Sequence, residues 1–161
     1  MIYDALKEMG ILEERAFETT EIFGLVARSE RDLTTAKFLV DKDEEWAYAA
    51  AYLAMARASR ALIMSEGFRP KGARGRDTHK TVVTAAGVIL GEQYKSQINK
   101  FDRMRRKYQN FLEEAGRAIT RYEAGQAIRD AEEFTGLVNG RIREKYSQMS
   151  LLNDTVHLVS R

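Results

Sequence analysis

The sequence predicts an all-α protein, an antiparallel up-and-down bundle of four to five helices. Three observations lead there. The 161 residues contain a single proline, and proline is the residue that most sharply ends helices. Apolar residues recur three and four apart in one segment after another, the spacing that lines one face of a helix. No segment alternates apolar and polar residues over the length of a strand, which leaves helix packed on helix as the way to build a core.

The elements follow in order. Ile2, Ala5, Leu6 and Met9 share one helical face, and Gly10 ends it. Ile22, Val26, Leu33, Ala36 and Val40 form the stripe of a longer second helix, read as continuous or broken. Asp43 can cap the next helix by accepting the free amides of its first turn. That helix runs from about Glu44 to Glu66, and its first half, WAYAAAYLAMA, is apolar all round, as a helix buried on several sides must be. Gly67 and Pro70 supply the stop. Phe68 to Arg76 reads as a mobile loop. Asp77 or Thr78 caps a helix through Val82, Val83, Ala86 and Ile89, and another begins near Gly91 and stops at Gly116. Thr120 and Glu123 make a capping box, in which each side chain satisfies an amide near the other. The last long helix puts Ala124, Ala127, Ala131, Phe134 and Val138 inward, and its signal fades after Tyr146. The organisation is therefore one helical domain over residues 1–146, with 147–161 a tail, a short strand or an arm.

Composition narrows the chemistry. The chain has no cysteine, so disulfides, zinc-thiolate sites and cysteine nucleophiles are excluded. Its two histidines, His79 and His157, are far apart, which argues against a metal site, and no cofactor motif is present. Net charge is +2 with 31% charged residues, so any affinity for nucleic acid must come from local clusters. The N-terminus lacks the apolar core of a signal peptide, and the longest apolar run, Trp46 to Ala56, is too short to span a bilayer. The expected address is the cytoplasm, with no membrane partner.

The segments ARSERDLTTAKFLV and DEEWAYAAAYLAMARASRALIMSEGFRPKG, then His79 ahead of Val82-Val83, resemble the earlier part of a HEPN domain. FDRMRRKYQNFLEEAGRAITRYEAGQAIRDAEEFTGLV resembles the remainder, so the resemblance covers about residues 27–138. It implies a helical bundle that pairs as a homodimer and often works beside a nucleotidyltransferase subunit in toxin–antitoxin modules. Active members of that family are metal-independent ribonucleases with an arginine followed shortly by a histidine. Others lack the pair and bind nucleotide, RNA or a partner. Here the corresponding segment, Arg103 to Glu113, has the arginines but no histidine. The resemblance thus implies a nucleotide-, RNA- or partner-binding protein without strong catalysis. The alternatives are a metal-independent endoribonuclease with an altered motif, and a structural oligomeric bundle.

Two basic clusters are the candidate contacts for nucleotide or RNA. Arg103, Arg105, Arg106 and Lys107 are the densest on a helix, and Arg103, Arg106 and Lys107 share a face. Arginine suits bidentate contact with phosphate oxygens; the plain alternative is a solvated face paired with nearby glutamates. Arg69, Lys71, Arg74 and Arg76, with Lys80 beyond, form a basic loop that can close over a polyanion or serve as a solvated connector. For catalysis the candidates are Arg106, with Glu113 or His79 as the base. Arg57 and Arg60, on the most buried helix, need a carboxylate or a ligand; Glu66, Asp102, Glu132 and Glu133 are the candidate partners. Trp46, Tyr48, Tyr52 and Met55 read as core and dimer contacts.

Overall fold

Residues 2–72, 77–113 and 119–159 are described by a computed structural model of the chain. Six helices carry the fold: α1 (Ile2–Glu8), α2 (Thr19–Leu39), α3 (Glu44–Ser65), α4 (Thr78–Leu90), α5 (Lys95–Glu113) and α6 (Arg121–Val159). A short 3-10 turn, Glu92–Tyr94, joins α4 to α5. Helix α2 is unbroken.

Helix α3 is the axis around which the others pack. Ala47, Ala51, Ala54, Ala58 and Ala61 are fully buried along it, and side chains this small let neighbouring backbones come close. Its start is held as expected, because the Asp43 carboxylate accepts the Trp46 amide at 3.0 Å. Gly67 follows it at φ +84°, a left-handed conformation that glycine adopts at no steric cost. Helix α6 runs antiparallel to α2, as the Arg121–Asp41 pair at one end and the Asn139–Ser29 hydrogen bond further along require. Helices α4 and α5 form an antiparallel hairpin on α3, and Phe101 of α5 is fully buried between Tyr52 and Phe134. The capping box at the start of α6 is present, with Thr120 and Glu123 each accepting the other's amide.

Three expectations are corrected. The start of the presumed loop is a strand: β2 (Phe68–Pro70) pairs antiparallel with β1 (Leu12–Glu14), with Glu13 opposite Arg69. Strands of three residues are too short to show alternation in a sequence, which is why they were not foreseen. Helix α6 does not fade at Tyr146 but continues to Val159. Lys145 reaches the Ser65 carbonyl at the end of α3 and Tyr146 packs edge-on against Phe23. Once a helix is anchored there, each further residue adds a hydrogen bond without a new nucleus. Met149, Leu151 and Leu152 on this extension are exposed. Trp46, read with Tyr48, Tyr52 and Met55 as core and dimer contacts, lies outside the core of the single chain at 66% exposed, because α3 is buried all round only after its first turn. Among the described residues, no helix is long and apolar enough to cross a membrane.

Candidate anion-binding site

The predicted basic cluster on α5 is split by the way that helix seats. Arg105 is buried against the bundle, whereas Arg103 and Arg106 are exposed. Arg105 draws α5 to the start of α4. Its Nε donates to Asp102 at 2.8 Å, and its Nη1 donates to Gln109 at 2.9 Å and to Asp77 at 3.2 Å. Gln109 closes the network by donating to both oxygens of Asp77. Asp77 also caps α4 by accepting the Lys80 amide at 3.2 Å. Burial works to raise the Asp77 pKa, but these hydrogen bonds and the Arg105 charge outweigh it and hold the carboxyl below its ordinary value. Arg105 therefore acts as an anchor, with its Nε and Nη1 donors engaged.

The anchored turn places His79 beside two tyrosines and a second arginine. Its Nδ1 lies 2.6 Å from the Tyr52 hydroxyl. The Tyr108 ring stands 4.6 Å from that of Tyr52 and 5.8 Å from the imidazole. Burial pushes the Tyr52 phenol well above its usual range, so it keeps its proton. In the tautomer with the ring proton on Nε2, the hydroxyl donates to Nδ1 of neutral His79. Nε2–H has no acceptor among the described residues.

Arg60, on α3, completes the group. It is half-buried, and among the described residues no carboxylate lies within ion-pair distance of it. Burial lowers its pKa, and its charge is felt by both Tyr52 and His79. A guanidinium stays protonated near neutral pH, so this corner offers a partly desolvated cation without a counter-ion. Arg57, three residues earlier, has one: Asp32, at 2.6 Å. None of the expected partners pairs with either arginine.

The remaining predicted residues lie elsewhere. Arg106 is 63% exposed on its side chain, 3.5 Å from Asp102. Arg103 and Lys107 line a cavity on the far side of α5, where Lys107 pairs with Glu123 at 2.8 Å. Arg69 is tied to Glu13 across the strand pair, and Lys71 is exposed with its amide on the Ile11 carbonyl. Arg74, Arg76 and the side chains of Glu113 and His157 lie outside the described residues. Among the described residues no cluster of three or more histidine and carboxylate groups could hold a metal. Tyr52, Tyr108, Asp77 and Gln109 were not foreseen as a group. The only local signals were the i, i+3 and i, i+4 spacing of Asp102, Arg105 and Gln109.

Burial lowers the His79 pKa first; Arg60 and Arg105 lower it further, and Asp77 opposes them. The unfolded state therefore takes up a proton, near its ordinary value of about 6.5, before the folded state does. The associated stability is complete above that value and is lost as pH falls from it towards the depressed folded value. Denaturant titrations at pH 7.5 and 5.5 are expected to show a larger drop in wild type than in His79→Gln. An equal drop in both would place the titration elsewhere.

A model of the HEPN domain family matches residues 24–142, slightly beyond the resemblance at both ends and well over half of the chain. No curated protein and no solved structure gives a significant match. The family match places the chain among the HEPN domain proteins.

Proposed function

We propose that this member of the HEPN domain family binds the phosphate of a nucleotide or RNA at the corner formed by Arg60, His79, Tyr52 and Tyr108, and that it does not cleave RNA strongly. The observation that carries the reading is Arg60. A half-buried cation with no carboxylate is costly unless an anion joins it, and Nε2–H of His79 stands ready as a neutral donor beside it. The Tyr108 ring, partly exposed, supplies apolar surface for a base or sugar. The same tautomer argues against catalysis. Nδ1, the basic nitrogen, is occupied by Tyr52, and a neutral N–H is a weak acid, so neither end of the ring is well placed to move a proton.

Metal-independent cleavage is the second reading, favoured by one observation: His79 stands beside Arg60 as active members of the family pair histidine with arginine. Purified protein, in chelator, separates the two. Wild type is expected to bind single-stranded RNA with affinity that falls as salt rises, because phosphate contacts release counterions. Arg60→Ala is expected to weaken binding by roughly tenfold or more, the worth of a hydrogen bond to a charged group. RNA that is cut by wild type and spared by His79→Gln would move the conclusion to the ribonuclease. Binding unchanged in Arg60→Ala would remove this site from consideration.

The toxin–antitoxin setting, a second copy of the chain and a nucleotidyltransferase subunit belong to the same proposal as partners. The exposed Met149, Leu151 and Leu152 near the end of α6 are apolar surface that suits such a contact.

A further inference from the structure

A cavity of about 220 Å³ lies between α2 and α6, and no residue of the Arg60–His79 corner lines it. Leu33 of α2 gives it an apolar wall. Gly136 of α6 gives it an open floor, because a Cβ placed there would meet nothing within 4 Å.

The polar part of the lining consists mainly of acceptors. Asn139, on the cavity wall, is only 2% exposed. Its Nδ2 donates to Ser29 Oγ at 3.0 Å, but its buried Oδ1 has no hydrogen-bond partner among the described residues. An unmatched buried acceptor is costly, and the nearby hydroxyls do not relieve it. Their protons are committed: Ser29 donates to the Val26 carbonyl and Thr135 to the Ala131 carbonyl, each at 2.7 Å. Two carboxylates join the lining. Glu30 pairs with Arg143 and Glu132 with Lys37, both through Oε1, and a carboxylate accepts on either oxygen. The four charged side chains are about half exposed, so these pairs hold weakly and can open to admit a ligand.

We infer that this cavity is a binding site for a short aliphatic diamine. A primary ammonium carries three N–H donors and no acceptor, which complements such a lining. One ammonium donates to Asn139 Oδ1 and to Glu30, whose neighbour Ser29 already bonds to Asn139. The methylene chain lies along Leu33 and over Gly136. Glu132 takes the second ammonium: it precedes Asn139 by seven residues on α6, about 10 Å along a helix that rises 1.5 Å per residue. A short methylene chain with a hydrogen bond at each end spans that distance. A bare metal cation would leave the apolar wall and most of the volume unused.

The full chain, free of RNA, is titrated by calorimetry near neutral pH and at fixed ionic strength with putrescine, butylamine and butanediol. Saturable binding of putrescine is expected, with butylamine weaker by roughly tenfold or more, the worth of one charge-assisted hydrogen bond. Butanediol, which has the shape without the charge, is expected not to bind. Gly136→Leu is expected to fill the cavity and abolish binding. Leucine is the better helix former and the position has room, so thermal unfolding of that variant should show a fold at least as stable as wild type. Asn139→Ala is expected to weaken both amines roughly tenfold or more. Glu132→Gln is expected to bring putrescine down towards butylamine and to leave butylamine unchanged. The inference is overturned by any of three results: no saturable binding of putrescine, butanediol bound as tightly as putrescine, or putrescine binding undiminished in a folded Gly136→Leu.

Discussion

Truncating Phe101 to alanine is expected to destabilise the chain by about 3–5 kcal/mol, the range seen when a buried aromatic ring is removed. Phe101 is fully buried, with ring centroids 5.2 Å from Phe134 of α6 and 5.9 Å from Tyr52 of α3. It is therefore the side chain through which α5 is seated on two other helices at once. The cavity left behind has three helices around it, and none can close on it without losing contacts elsewhere. Urea unfolding followed by circular dichroism measures the effect. Trp46→Ala is the control, expected to change stability by no more than about 0.5 kcal/mol because its side chain is largely in water. A loss below about 1 kcal/mol for Phe101→Ala would mean that α5 does not pack on α3 and α6 as described.

Arg105→Ala is expected to cost about 2–3 kcal/mol and, in addition, to disable the His79 corner. Breaking a buried ion pair can cost more than this, but Asp77 and Asp102 are about a third exposed and regain water when the guanidinium leaves. The functional loss comes from position. Arg105 and Gln109 together hold Asp77, Asp77 caps α4, and His79 sits in the first turn of α4. Without Arg105, Asp102 keeps only the exposed Arg106, Gln109 alone links Asp77 to α5, and the turn that carries the imidazole loses the charged part of its tether. Hydrogen exchange at the amides of Lys80 and Thr81 is expected to accelerate relative to the middle of α3. RNA binding is expected to fall at least as far as in Arg60→Ala. Arg105→Lys keeps the charge but not the fork that reaches Asp102, Gln109 and Asp77 together, so it should rescue only part of either effect. Protection of α4 that is unchanged in Arg105→Ala would show that the network does not position the site.

The comparison of the two arginines on α5 shows where sequence reading stops. Helical spacing grouped Arg103, Arg106 and Lys107 on one face. That grouping says nothing of which face meets the bundle. Seated by Phe101 and Met104, both buried, α5 turns Arg105 inward and leaves Arg106 in solvent. His79 and Tyr52 are 27 residues apart, and no local pattern links them. Arg60 is set apart by being half-buried with no carboxylate in ion-pair range among the described residues, which is a fact about every other element's position.

The sequence by itself determined the helices, apart from the stretch of α6 beyond Tyr146, most of their caps and the family. These depend on local spacing and on capping chemistry within a few residues, as Asp43, Asp77 and the Thr120–Glu123 pair show. It also marked Arg57 and Arg60 as charges in need of partners. Only the tertiary structure decided which charges are engaged and which have no partner among the described residues, and that His79 stands with Tyr52, Tyr108 and Arg60. The reason is physical. A helix forms from interactions four residues long, whereas a binding corner is made by side chains from separate helices whose rotation and stagger are set by the packing of the whole core.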